Sequence, residues 1–345
     1  MSDNIKLIQK EQSKPLLFDF VVLFLGVLAV SLAAIISKIG MEDMGAAALN
    51  FNRFWIATSA FGLWYSFKAI NSNSSLPEQP VSLAVFEKPG FLAVRELVLV
   101  ALTGIFLGGS LFTWALSFNY TTVARASLLH YQHPIFTTLG AWLLFGQSFN
   151  KKFLVGLVMA VLGGIAIGIE DLELIGGSLF GDAIALLSGI LFSADLLAVE
   201  QLKGKLSNTA ITTGVSLFAA IFTLPVALFG EDKLFPSSEL GWACAIALAL
   251  ICQVAGHGLL YYSMKKFSSA FVGICIMLDI VISAFLAWII FAEPLTLVDW
   301  VVFPVVILGI YLAQSGELKS DGKTETILSE IELFTQTQRP HTTEK

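Results

Sequence analysis

The chain has 345 residues, of which 56% are apolar and only 13% charged, with 28 glycines and a mean hydropathy of +0.80. A soluble domain needs about 25% charged residues to clothe its surface, so the composition excludes a soluble protein and places the chain in a lipid bilayer. The formal net charge of -6 names no partner, because in a membrane protein the position of Lys and Arg relative to the spans carries the information.

About 20 apolar residues cross a hydrocarbon core of about 30 Å. Stretches of that kind predict an all-α membrane protein of ten transmembrane helices, over 17–37, 46–67, 97–118, 122–145, 153–169, 179–199, 208–229, 242–263, 268–291 and 297–314. The fifth and tenth are short, and nine spans result if either one lies in the interface. A polar tail over 1–16 precedes the first helix, and no small-residue cleavage pattern follows that helix, which speaks against a removed signal peptide.

The second helix opens with Asn50, Asn52 and Arg53. Arg53 either binds a carboxylate or phosphate with its planar fork or anchors the helix at the interface. The connection over 69–95, with Asn71 to Ser75 and three prolines, reads as a flexible or surface-lying segment. The third helix carries Gly104, Gly108 and Gly109, a small-residue spacing suited to close helix packing. On the same helix Ser110 stands one turn before Trp114, which is either a cavity wall or a packed aromatic. The fourth helix carries His130, Tyr131 and His133, then Pro134, which removes a backbone donor. His130 and His133 share a face, and they either line a cavity or hydrogen-bond neighbouring helices. Without a third ligand nearby in sequence they do not read as a metal site.

The sixth helix starts with Gly181 and Asp182, the latter suited to an N-cap, and carries Asp195 toward its far end, close enough to the interface to snorkel. The eighth has Gln253, His257 and Tyr261 at successive four-residue steps, a polar stripe that cannot face lipid without cost and so lines a cavity or bonds a neighbouring helix. In the ninth, Asp279 stands near mid-span with Ser283 one turn on. Asp279 either carries a proton or pairs permanently with Arg53 or a histidine. A polar tail over 315–345 follows the tenth, and Thr326 to Phe334 could form an amphipathic helix. Cys244, Cys252 and Cys275 lie inside apolar stretches and offer neither a disulfide framework nor a CxxC cluster.

Sixteen of the twenty Lys and Arg residues fall on the tails and the even-numbered connections, against Lys38 and Lys233 on the other side. Both termini are therefore expected in the cytoplasm, in the cell (plasma) membrane.

Shifting the sequence by 146 lays Thr122-Val123-Ala124 on Ser268-Ser269-Ala270, Trp142 to Phe145 on Trp288 to Phe291, and Gly163 on Gly309. The chain is duplicated, as repeats over 17–169 and 170–314. Five spans is an odd number, so the second copy enters the membrane upside down, and a site is expected near the midplane between the halves. The run Gly181 to Ser188, continuing through Phe192-Ser193-Ala194, and the motif Phe291-Ala292-Glu293-Pro294-Leu295-Thr296 then carry a resemblance. Over about residues 18–314 the chain resembles the drug/metabolite transporter superfamily of EamA-domain type. The resemblance implies ten helices around a central cavity and a carrier, its relatives including exporters of amino acids and other metabolites, facilitators and proton-coupled antiporters. The chain departs from the family pattern at Gln147, His133 and Ile280, where Glu, an acidic residue and Pro are frequent.

The expectation is thus a carrier that moves a small polar or amphipathic metabolite outward by alternating access. Its candidate solute contacts are His130, Tyr131, His133, Gln253, His257, Tyr261, Trp114, Asn50 and Arg53, with Asp279 as the proton-coupling candidate. No catalytic residue, cofactor, metal or nucleic acid is called for; protons and a second copy of the chain stay open as partners. The rivals are an intramembrane enzyme, for which HExxH and Gly-x-Ser-x-Gly are lacking, and a channel, for which no repeated charged ring appears.

Overall fold

The computed structural model describes residues 17–71, 90–172, 178–291, 297, 298 and 300–317, and among them there is no strand. Most of the 69–95 connection, both tails, the expected helix over Thr326–Phe334 and the side chain of Ser283 lie outside the described residues. In chain order the helices are α1 in two pieces, Leu17–Val30 and Ala33–Gly40; α2, Ala46–Asn71; α3, Gly90–Ser117; α4 in two pieces, Val123–His130 and His133–Phe145; and α5, Lys151–Leu172. There follow α6, Leu179–Leu202; α7, Asn208–Gly230; α8, Glu239–Ser263; α9 in two pieces, Ser269–Ile276 and Leu278–Phe291; and α10, Trp300–Glu317. Six of these, α1, α3, α6, α7, α8 and α10, are long and apolar enough to cross a membrane by themselves. The others carry the polar groups and breaks noted above, and α5, at 22 residues, is a full-length helix.

Short connectors work here because six helices, α4 to α9, begin on a side chain that accepts a hydrogen bond from an otherwise orphaned amide. Thr122 accepts from Arg125 N (3.2 Å), Asn150 from Phe153 N (2.9 Å), Ser178 from Gly181 N (3.0 Å), Ser207 from Ala210 N (3.1 Å), Ser238 from Gly241 N (2.9 Å) and Ser268 from Phe271 N (3.1 Å). The expectation that Asp182 caps α6 is corrected: Ser178 holds that place, and the Asp182 carboxylate instead forms an ion pair with Arg125 at the start of α4. Asp182 lies four residues beyond the capping position, Ser178, too far along the helix to reach the first free amides, and the guanidinium beside it is the stronger partner.

The halves are packed crosswise. The third helix of the first repeat, α3, lies against α6 and α7, the opening pair of the second; α8, the third helix of the second repeat, lies against α1 and α2. The fourth helices meet each other, α4 against α9. So do the fifth helices, and there the two-fold relation can be read atom by atom. A Cβ added to Gly309 would stand 2.8 Å from the carbonyl of Gly156 and 2.8 Å from Ala160 N; one added to Gly163 would stand 3.4 Å from Val302 and 2.6 Å from Val306. Those contacts interchange under the 146-residue shift, so α5 and α10 cross on a pseudo-dyad. Gly104 and Gly108 similarly let α3 close on Phe218 and Ala219 of α7.

The bundle is apolar outside, with Phe229 91% and Leu179 85% exposed, and carries its polar groups inside, Arg53 being 1% exposed. That inversion is what a hydrocarbon solvent selects.

Candidate functional site

All the irregularities of the backbone converge. α1 breaks at Ser31 and Leu32, α4 at Tyr131 and Gln132, and α9 at Met277, while α8 widens into a π-helix over Leu248–His257. Such departures release or reroute backbone groups and are tolerated in a membrane only where protein or a cavity receives them. The π-helix reaches α1 at its break through Gly256, where a Cβ would lie 2.7 Å from Val30 Cγ1. Between these segments lies a cavity of about 40 Å³. It is walled by Val30 and Ala33 beside the α1 break, Leu111 and Trp114 of α3, and Phe192 of α6. Its polar lining is Arg53, His130, Tyr131, His257 and Asp279.

Arg53 is a buried cation, not an interface anchor. Its Nε donates to Gln253 Oε1 (3.2 Å), and Gln253 in turn donates to Ser216 Oγ (3.3 Å). Ion pairs join Arg125 to Asp182 and Lys203 to Glu200, and Arg53 takes part in neither. His257 Nδ1 lies 3.0 Å from the carbonyl of Cys252, and a carbonyl can only accept, so Nδ1 carries the proton and Nε2 a lone pair. The 3.4 Å approach of Arg53 to that same Nδ1 therefore sets two donors side by side and is not a hydrogen bond. His257 Nε2 and Trp114 Nε1 are both buried without a partner among the described residues.

Tyr131 donates its hydroxyl to Asp279 across the gap between the α4 and α9 breaks. His130 is held through Ser188: that hydroxyl is spent on Ala185 O (2.6 Å), so Ser188 Oγ accepts from His130 Nδ1 (2.8 Å). The Trp114 ring lies 5.3 Å from the His130 ring.

Four of the expected contacts stand elsewhere. Asn50 donates to Ala46 O (2.9 Å) and Leu111 O (3.3 Å), fastening α2 to α3. His133 is fully buried against Phe192, ring centroids 4.9 Å apart, with neither nitrogen paired among the described residues. Gln253 stands behind Arg53. Tyr261 donates to both oxygens of Asp195 (2.9 and 3.1 Å). The polar stripe of α8 divides in this way because eight residues of helix rise about 12 Å, longer than the cavity. The snorkelling expected of Asp195 is corrected: its carboxylate is 0% exposed and held inside the bundle by Tyr261. The walls Phe192, Leu111 and Val30 carry no sequence signal, nor does the π-helix. Among the described residues no three His, Cys, Asp or Glu side chains are grouped to hold a metal ion.

Side chains fasten the helix ends on both faces, and Gln147–Glu200, Arg125–Asp182 and Glu231 on α2 join the two halves. On the face that carries the described chain ends, Glu200 of α6 accepts from Ser269 N (3.1 Å) and its hydroxyl, and from Gln147 (2.8 Å), while Glu317 accepts from Ser268 N (2.8 Å). On the opposite face, besides the Arg125–Asp182 pair, Glu231 accepts from Ala47 N (2.7 Å) and Ala48 N (2.9 Å) at the start of α2, where the helix dipole favours an anion. Asp43, in the connection after α1, accepts from Ser237 and Ser238, and those hydrogen bonds hold its carboxyl well below the usual carboxylate range.

The model of the EamA-like transporter family matches this chain twice, over residues 18–169 and 179–314. The chain belongs to the EamA-like transporter family. It is a multi-pass membrane transporter in which the family's domain occurs twice. It is 29% identical over 231 residues to the uncharacterized transporter YetK of Bacillus subtilis (strain 168), covering 65% of this chain and 70% of that one. It is 24% identical over 286 residues to an uncharacterized transporter of Archaeoglobus fulgidus, covering 81% of this chain and 91% of that one. A solved crystal structure superposes with a TM-score of 0.70 at 16% identity, over 87% of this chain and 98% of its own, a likeness of fold.

Proposed function

We propose that this member of the family exports a small polar metabolite, an amino acid, amine or related solute, by alternating access, from a cytoplasm that holds both termini and across the plasma membrane. The observation that carries this reading is the position of the cavity: it lies where the helix interruptions of both repeats meet, and Arg53, a cation, and Asp279, a carboxylate, both line it. A channel needs a continuous path, whereas contacts between the halves stand on both faces of the bundle, Gln147–Glu200 on one and Glu231–α2 and Arg125–Asp182 on the other. An intramembrane hydrolase needs a nucleophile beside its base, and among the described residues no serine or cysteine lines the space. Opening one set of contacts while the other holds is the cycle that an inverted repeat supports.

Asp279 is the candidate proton carrier, being the carboxylate at the cavity, and the cytoplasmic placement of the termini rests on the distribution of Lys and Arg. Purified protein in proteoliposomes tests the reading: flux of a labelled amino acid or amine should saturate with concentration and show counterflow. Flux that stays linear, or a chemical change in the solute, would point to a channel or an enzyme instead.

A further inference from the structure

The cavity is an incomplete set of hydrogen-bonding groups. Arg53 offers a guanidinium that is 1% exposed, bonded to a neutral amide and joined to no carboxylate within ion-pair distance among the described residues. A cation so placed is unfavourable unless an anion reaches it. Trp114 Nε1 offers an unspent donor, and a donor asks for the same kind of guest, an acceptor. His257 Nε2 differs, because the bond of Nδ1 to Cys252 O leaves it a lone pair; it asks for an N–H or O–H.

We infer that the solute is a small acid with one carboxylate, seated on Arg53 and Trp114, and with an amino or hydroxyl group that donates to His257 Nε2. The assignment rests on the transport reading above and names the solute class of that site. A guanidinium fork fits phosphate as well as carboxylate, but charge separates the two. Asp279 lines the same space as Arg53, so a phosphate dianion would leave that space two charges negative and a single carboxylate only one, and a carboxylate that also carries a protonated amine leaves it balanced. The empty volume of about 40 Å³ is little more than the share of one water, about 30 Å³. The gates must therefore part to admit even a compact acid.

The test is thermal stabilisation of the purified protein by matched sets: an L-amino acid, the 2-hydroxy acid of the same skeleton, the simple fatty acid lacking the donor, the amino-acid amide lacking the carboxylate, and glycerol phosphate. Amino or hydroxy acids should raise the melting temperature saturably, and the amides and glycerol phosphate should not. Arg53→Met, which removes a buried charge, should keep the unliganded melting temperature and lose the shift. Arg53→Lys keeps charge without the fork and should weaken binding by at least about tenfold, the worth of one charge-assisted hydrogen bond. His257→Phe should erase the preference for donor-bearing acids over the fatty acid. Shifts that survive Arg53→Met, amides equal to acids, phosphate better than carboxylate, or a panel with no binder would each overturn the assignment. Saturable counterflow of an amine or sugar, indifferent to Arg53→Met, would leave transport standing and overturn the acid. Arg53-dependent binding without any flux would do the reverse.

Discussion

The fourth helices of the two repeats break at the same register and present different chemistry there. Under the 146-residue shift Tyr131 falls on Met277 and His133 on Asp279. In α4 the turn is closed by Gln132 N on Leu129 O (3.3 Å) and Ile135 N on Gln132 O (3.1 Å); in α9 by Met277 N on Ile274 O (3.1 Å) and Ile280 N on Met277 O (3.2 Å). Both are tightened three-residue turns of the kind that marks a hinge, yet only α4 contains a proline. The side chains then part company. Asp279 reaches the cavity and meets Tyr131 from the opposite break, while His133 packs against Phe192 outside it. The duplication supplies a symmetric backbone, and the charge was placed in one half of it.

The largest expected effect separates those two equivalent positions. Asp279→Asn should abolish transport driven by a pH gradient and leave solute counterflow largely intact, whereas His133→Leu should leave both. Equal loss of the two activities in Asp279→Asn, with a lower melting temperature, would make that carboxylate structural. Undiminished gradient-driven flux would move proton coupling to a histidine or remove it. Next in size, His257→Ala and His130→Ala should each lower counterflow several-fold in a protein that still folds, because each withdraws a polar wall of the cavity but no charge. Normal flux in both would take the site elsewhere.

Much of this was legible in the sequence, for reasons that also mark the limit. Span positions, the duplication and the inventory of buried polar residues follow from hydropathy and the cost of polarity in hydrocarbon. That is why Arg53, His130, Tyr131, His257, Trp114 and Asp279 could be named from the sequence and found around one space. Direction was harder to read. Asn50 and Asp195 are also costly in lipid, but a helix contact satisfies them as well as a cavity does, and Asp195 meets Tyr261 only because α6 and α8 are brought together by the fold. The π-helix has no local signal at all: Leu248–His257 has an ordinary α-helical composition, and the bulge is set by what α8 packs against.

The fifth helices offer a second test of symmetry, in stability. Gly156 and Gly163 both face α10, but a Cβ at Gly156 would stand 2.4 Å from Gly309 O and 2.5 Å from Ala313 N, both backbone, whereas at Gly163 the nearest atom is the Val306 side chain at 2.6 Å. Backbone cannot step aside. Gly156→Ala should therefore destabilise by about 1–3 kcal/mol, as overpacking does, and Gly163→Ala by less, read as the shift in thermal midpoint. Equal effects would mean that the crossing of α5 and α10 is looser than the dyad contacts imply.

The smallest effect is expected at the residue that looks most decisive in the sequence. Pro134 removes a backbone donor and cannot continue a regular helix, so it is the natural cause of the break in α4. Its counterpart in α9 is Ile280, which keeps its amide, and the chain breaks there all the same, with that amide turned to Met277 O. Proline is thus not required for this turn. What the two breaks share is the partner: each faces the other across α4 and α9, and Tyr131 crosses to Asp279. Pro134→Ala should accordingly leave the break in place, change stability by under about 1 kcal/mol, and leave counterflow near that of the wild type. Tyr131→Phe, which spares the proline and removes the crossing hydroxyl, should cost more in both respects. If the order is reversed, with Pro134→Ala inactive and Tyr131→Phe silent, the break in α4 is made by its own chain, and the equivalence of the two fourth helices extends to their register alone.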